Sequence, residues 1–267
     1  MHKLISLIAI VLFVLQVSAQ MDDKFYYPSH EWKQIDSLKV KIFTKKMDED
    51  EITAYLISPD KKPKATIIYF HGAGGNVSTY IPLIKSLVKD GFQVFMVDFR
   101  GYGKSTGKPT HLNIESDGQK ILDFSLTQKA IKNTNILLYG ASMGTQIATH
   151  LAALNESKIS GLILDGTISS FTDIASAYSP PEQKEMIEKF VTSPYSAKED
   201  IKKLVKIPVL FIHSKEDEDV PFSQYELVEA NCTTKHESLI YTGKHLECPL
   251  LETEVFLAKV NYILSNK

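Results

Sequence analysis

A chain of 267 residues that is 43% hydrophobic and 23% charged has the composition of a folded globular protein, which excludes collagen-like, coiled-coil and disordered classes. With 30 Lys and Arg against 32 Asp and Glu, the formal net charge of −2 lacks the basic excess that nucleic-acid binding requires. The 2 cysteines are too few for a disulfide scaffold or a four-thiolate zinc site.

Residues 1–19 read as a removable leader. Met1, His2 and Lys3 make a short basic start, residues 4–15 are uncharged and apolar apart from Ser6, and Val17, Ser18 and Ala19 supply the small residues a signal peptidase reads. The apolar run is shorter than the roughly 20 residues of a membrane-spanning helix, so an uncleaved anchor and a buried N-terminal helix are the weaker readings. Gln20 rather than a cysteine follows the cut, so no lipid anchor is indicated. The expectation is export, secreted or periplasmic, after cleavage near Ala19.

No repeat, charge block or Gly/Ser linker divides residues 20–267, which argues for one domain. Two β-rich segments, 38–44 and 52–58, flank a charged turn at 45–51. Short apolar runs follow at 65–70, 93–98, 136–139, 161–165, 208–213 and 238–241. Helical patterns at 79–89, 114–129, 145–154 and 222–230 alternate with them, and 250–264 closes the chain. Runs such as ATIIYF and PVLFIH are apolar on both faces, as in parallel strands covered by helices on both sides. The alternation predicts an α/β fold with a mostly parallel, doubly wound sheet and ligands at the carboxyl ends of its strands.

Residues 171–206 interrupt the rhythm with Pro180, Pro181 and Pro194. The pattern of 182–191 places Met186, Ile187, Phe190 and Val191 on one helical face. Ser196 through Glu199 reads as a capping box opening a second helix, 197–205. An elaborated crossover would be the plainer reading. A small two-helix cap is expected instead, with Met186, Ile187 and Phe190 walling a substrate pocket.

Chemistry concentrates in the turns after the strands. Gly140-Ala141-Ser142-Met143-Gly144 lies between a strand pattern and a helical one, the context of a nucleophile elbow that lifts the Ser142 hydroxyl to the top of a sheet. Serine needs a base, and the base an orienting carboxylate, which follow it here in the order acid, then histidine. His245 lies just after the last strand, at the catalytic end, whereas His236 precedes that strand and His213 ends an apolar one. Glu216, Asp217, Glu218 and Asp219 offer four carboxylates after PVLFIH, with Asp165, at the end of the preceding strand, a further alternative. The glycine-rich His71–Asn76 turn supplies the Ala73 N–H, which with that of Met143 would form an oxyanion hole. Gly103-Lys104-Ser105 is no phosphate loop, because the glycine required five residues earlier is Asp98. HExxH and paired CxxC patterns are absent, so no catalytic metal is implied, and acyl transfer through a serine requires no cofactor.

Taken together, HGAGGN, VDFRGYGKSTGKPT, GASMG, HSKEDEDVP and GKH, in this order, resemble an α/β-hydrolase-fold serine hydrolase. The likeness runs from about Leu38 to the C-terminus and is nearest to the serine aminopeptidase-like and alpha/beta-hydrolase domain-containing group. It implies a Ser142, Asp217 and His245 triad, selecting Asp217 over Asp219, with Ala73 and Met143 as oxyanion donors. It also implies structural roles for Asp98 and Arg100. Ser214 stands where the family usually has glycine. The expected activity is carboxylic-ester hydrolysis of short or medium acyl esters through an acyl-enzyme. A serine aminopeptidase or thioesterase would use the same machinery, and a non-catalytic binding protein is the rival from another class. The expected partner is a small acyl substrate, with neither nucleic acid nor a stable membrane anchor; the oligomeric state is not legible. Cys232 and Cys248 flank the last strand, too far apart for a bridge, and are expected as free thiols.

Overall fold

Strand pairing organises the chain around an eight-stranded sheet. The computed structural model describes residues 22–35 and 38–266, so the leader expected at 1–19 lies outside the described residues. Short β1 (Tyr27–Pro28) comes first, then the hairpin β2 (Lys39–Met47) and β3 (Asp50–Ser58), whose tip is turned by Asp48 at φ 57°. After β4 (Thr66–Phe70) and short β5 (Gly74–Gly75) comes α1 (Val77–Lys89), opened by Asn76, whose side chain accepts the Ser78 N–H at 2.9 Å. β6 (Gln93–Val97) leads to α2 (His111–Thr127), and β7 (Ile136–Ala141) leads to α3 (Gly144–Asn155). β8 (Gly161–Asp165) is followed by three short helices, α4 (Phe171–Ala177), α5 (Lys184–Phe190) and α6 (Ala197–Asp200). β9 (Val209–Ser214), α7 (Phe222–Glu229), β10 (His236–Tyr241), α8 (Cys248–Leu251) and α9 (Thr253–Ser265) complete the chain.

The order across the sheet is β10-β9-β8-β7-β4-β6-β3-β2. Strands β10 through β6 run parallel, and the hairpin adds β3 and β2 antiparallel. β4, β6, β7, β8 and β9 are buried along their whole length, which explains why they read as unbroken apolar runs. The edge strand β2 instead carries exposed lysines, which discourage pairing with another chain. From β4 the chain crosses to β6 on one side and then returns to β7 on the other, so the order reverses between β4 and β7. Side by side at that switch point lie the loops after Phe70 and Ala141, because Phe70 pairs with Gly140.

Two structural residues secure the loop after β6. Asp98 accepts the Val77 N–H at 2.8 Å, the Tyr55 hydroxyl at 2.9 Å and the Lys104 N–H at 3.1 Å, which anchors α1. The Arg100 guanidinium forks onto both oxygens of Asp117 at 2.8 and 2.9 Å and reaches Asp50 at 2.7 Å.

Three expectations need correction. Ser196 forms no capping box: its hydroxyl donates to the Ser169 carbonyl instead, at 3.1 Å, and α6 ends at Asp200 in a 3-10 turn rather than continuing to 205. The closing helix is divided at Glu252, whose φ of −116° and ψ of 36° leave the helical region between α8 and α9. The residues expected to wall the substrate pocket do not line the cavity at Ser142: Met186 is 52% and Phe190 48% exposed, while Ile187 packs half-buried against the core.

Candidate active site

The turn that carries Ser142 is built by close approach of β7 and α3. A Cβ added at Gly140 would collide with the Gly144 carbonyl oxygen, and one at Gly144 with the Phe70 carbonyl oxygen, so neither position admits a side chain. Between them Ser142 holds φ 54°, the left-handed conformation that carries its side chain above the strand ends. Its N–H donates to the Asp165 carbonyl at 2.7 Å, while its own carbonyl accepts the Thr145 N–H at 2.9 Å. The turn is thereby fixed from both sides.

The acid–base pair comes from the loops after β9 and β10. His245 Nδ1 donates to Asp217 Oδ2 at 2.6 Å, and Asp217 Oδ1 accepts the N–H groups of Asp219 at 3.0 Å and Val220 at 2.7 Å. Burial pushes the Asp217 carboxyl upward, but the His245 hydrogen bond and charge, the Val220 N–H and nearby His213 outweigh it and hold the group below its ordinary range. Asp219 is exposed and meets the pair through its backbone N–H. His245 Nε2 is sealed from solvent and has no hydrogen-bond partner among the described residues. With the proton on Nδ1, that nitrogen presents a free lone pair, as a general base must.

Consecutive residues bracket Ser142 and His245. Asp165 receives the Ser142 N–H on its carbonyl, and a Cβ on Gly166 would lie 2.5 Å from His245 Cε1. The Asp165 carboxyl is wholly buried, accepts the Tyr139 hydroxyl at 2.6 Å and is pushed up to about 7 by desolvation. It lies beneath the site and is not paired with the imidazole.

The His71–Asn76 turn, expected to supply an oxyanion donor, is held from behind. His71 Nε2 accepts the Phe99 N–H at 3.2 Å, which leaves its proton on Nδ1, 2.7 Å from the Gly72 carbonyl oxygen. Burial lowers His71 to about 4, so the ring is neutral and keeps this tautomer. In a trans peptide the Ala73 N–H points opposite the Gly72 carbonyl, so His71 orients that donor. The Ala73 carbonyl in turn accepts the Tyr102 hydroxyl at 2.6 Å and the Tyr27 N–H at 2.9 Å. Neither the Ala73 nor the Met143 N–H donates to a backbone carbonyl among the described residues. Met143 also sits at the amino end of α3, where the helix dipole favours negative charge.

Ser142, His245, Ala73 and Met143 all line one cavity of about 540 Å³, in the lower half of the range typical of small-molecule sites, about 300–1,000 Å³. Its outer wall is α4, through Phe171, Ile174 and Ala175, and Tyr178 just beyond. Met186, Ile187 and Phe190 are not part of that wall, because α4 leaves the strand ends first and occupies the place expected for α5. Positions 171, 174, 175 and 178 have the spacing of a single helical face, a signal the sequence carries. Phe25 and Tyr27, from the segment before β2, complete the cavity and carry no such signal.

Asp217, Asp219 and His245 offer possible metal ligands within 4.8 Å of one another. The Asp217 Oδ2 and the His245 Nδ1 already satisfy each other, so the cluster is a hydrogen-bonded carboxylate–imidazole pair with a surface carboxylate beside it. Cys232 and Cys248 are unpaired, the latter buried. No described helix is long and apolar enough to cross a membrane.

Comparison with known proteins fits this geometry. Residues 65–191 match the family described as alpha/beta hydrolase fold. The chain is 30% identical to the uncharacterized protein YfhR of Escherichia coli O157:H7, across 92% of this chain and 89% of that one. It is 34% identical to protein bem46 of Schizosaccharomyces pombe over 69% of this chain, a match that spans 62% of bem46. The Pyrococcus furiosus esterase Pf2001 superposes with a TM-score of 0.71 at 18% identity, covering 90% of this chain and 98% of the esterase. Acetyl xylan esterase 1 from Thermoanaerobacterium does so with a TM-score of 0.65 at 16% identity, covering 94% and 93%. At these identities the structural likeness is one of fold.

Proposed function

This chain belongs to the α/β-hydrolase fold family, and from that premise we propose that it is a serine hydrolase that cleaves carboxylic esters of short or medium acyl groups. Ser142 Oγ attacks the acyl carbonyl while His245 Nε2 takes its proton. Asp217 stabilises the resulting imidazolium, and the N–H groups of Ala73 and Met143 hold the oxyanion. The imidazolium protonates the leaving alcohol, then as free base activates water against the acyl-enzyme. The observation that carries this reading is the Asp217–His245 hydrogen bond, with His245 lining the same cavity as Ser142 and its Nε2 left without a partner among the described residues. The esterase activity named for the fold neighbours is in keeping with it.

The cavity's apolar walls favour an acyl chain over a free α-amino group, since Asp219 is the lone carboxylate among its lining residues. In the test, a fluorophosphonate probe labels Ser142 and Ser142→Ala abolishes p-nitrophenyl ester turnover. Faster cleavage of aminoacyl amides than of esters would transfer the assignment to a peptidase. We also propose export after removal of the leader. Mass spectrometry of the protein recovered outside the cytoplasm should then find a chain beginning at Gln20.

A further inference from the structure

The segment before the sheet is tied into the active site. Tyr27 in β1 pairs in parallel with Gly74 in β5, within the oxyanion turn, and its N–H reaches the Ala73 carbonyl at 2.9 Å. Ser29 N–H donates to Gly75 O at 2.9 Å, and the Asn76 side chain donates to the Ser29 and Glu31 carbonyls at 3.0 and 2.8 Å. On the N-terminal side of Phe25, Asp22 accepts the His111 N–H at 2.9 Å, and just after Phe25 the Tyr26 hydroxyl lies 2.6 Å from His111 Nδ1. Phe25 is held between these anchorages, its ring edge-on to Phe171 at 5.3 Å and to His111 at 5.2 Å. Phe171 stacks on His111 at 3.7 Å. Phe25 and Phe171 therefore meet as two parts of one aromatic wall facing the cavity. Neither residue belongs to the strands that carry the chemistry, so this wall can set substrate size independently of the triad.

We propose that residues 22–29 form a specificity strap, in which Phe25 sets the largest acyl group admitted and Tyr27 is a positioning residue for the oxyanion turn. The inference rests on the hydrolase reading and names the part of the cavity that selects its substrate. The two roles separate kinetically. Removing the Phe25 ring enlarges the cavity without touching a reacting group, so it changes which acyl chain binds. Losing the Tyr27 N–H frees the Ala73 carbonyl on one side, which acts on the transition state for every chain.

The experiment measures kcat and KM for p-nitrophenyl esters from acetate to palmitate, with fluorophosphonate labelling of Ser142 run in parallel. Phe25→Ala should move the kcat/KM maximum to longer chains, with a gain of about tenfold or more at the first methylenes beyond the wild-type optimum. Tyr27→Pro should lower kcat about tenfold or more at every chain length in the series. Proline also takes the Tyr27 ring out of the cavity wall, so Tyr102→Phe, which removes the other donor to the Ala73 carbonyl from a residue outside that wall, should reproduce the uniform fall in kcat and leave the chain-length optimum and KM in place. An unchanged chain-length profile in Phe25→Ala overturns the size role, and unchanged kcat in both Tyr27→Pro and Tyr102→Phe overturns the positioning role. Those results with Ser142 still labelled defeat the strap alone, whereas absent labelling of the wild type defeats the hydrolase reading and the strap with it.

Discussion

Asp217→Asn exchanges one carboxylate oxygen for an NH2 group and should remove most of the activity, for a reason visible in the hydrogen bonds around it. The Oδ1 side of the carboxylate faces two N–H donors, from Asp219 and Val220, so an asparagine keeps its oxygen there. Its amino group then takes the place of Oδ2, 2.6 Å from His245 Nδ1. An NH2 is only a donor at that position, so Nδ1 must become the acceptor and the ring proton moves to Nε2. The nitrogen that should receive the Ser142 proton already carries one. The imidazolium also loses its counter-charge. Loss of the correct tautomer in a triad of this kind costs about ten-thousandfold in kcat, or about 5 kcal/mol of transition-state stabilisation. The assay is p-nitrophenyl butyrate hydrolysis with thermal melting as a control for folding. Asp219→Asn preserves the backbone N–H that reaches Asp217 and should cost far less. A larger loss in Asp219→Asn than in Asp217→Asn would refute the assignment of the acid.

Gly166→Ala combines a φ of 63° with a Cβ 2.5 Å from His245 Cε1, so the imidazole must shift; kcat should fall about a hundredfold, and an unchanged kcat would show that the ring tolerates displacement. His150 has Nδ1 2.8 Å from Asp200 and Nε2 3.3 Å from Glu115; burial alone would lower it, but the two carboxylates raise it above its ordinary value. Its contribution to stability is therefore fully present below about pH 6.5 and lost as pH rises through the raised value, so His150→Asn should depress the melting temperature more at pH 5.5 than at pH 8.5. Cys232 and Cys248 should remain unbridged in the native protein, with identical intact mass before and after reduction. Burial raises both thiols, Cys232 to about 11, so alkylation at neutral pH should be slow.

Much of this protein can be read along the chain, because its central strands and the loops after them are local statements. A strand buried on both faces is an apolar run, as at Thr66–Phe70, and an elbow is a glycine-spaced serine between a strand and a helix, as at Ser142. The eight sheet strands, the crossover helices, the elbow, the oxyanion turn and the loop carrying His245 are each legible in this way. The choice among four clustered carboxylates is not local, and in the sequence it rests on the family resemblance, which selects Asp217. It depends on which side chain the turn after β9 delivers to a histidine 28 residues further on, and only the folded loop pairs Asp217 with His245. The cap misled for a similar reason. Helical periodicity at 182–191 identifies an apolar face but not its neighbour, and α4 had already taken the position over the strand ends. Phe25 and Tyr27 lie furthest from inference by sequence, because a two-residue pairing with Gly74 and Gly75 leaves no periodic pattern. Their place beside the nucleophile is set by hydrogen bonds between segments some 45 residues apart, which tertiary structure alone brings into contact.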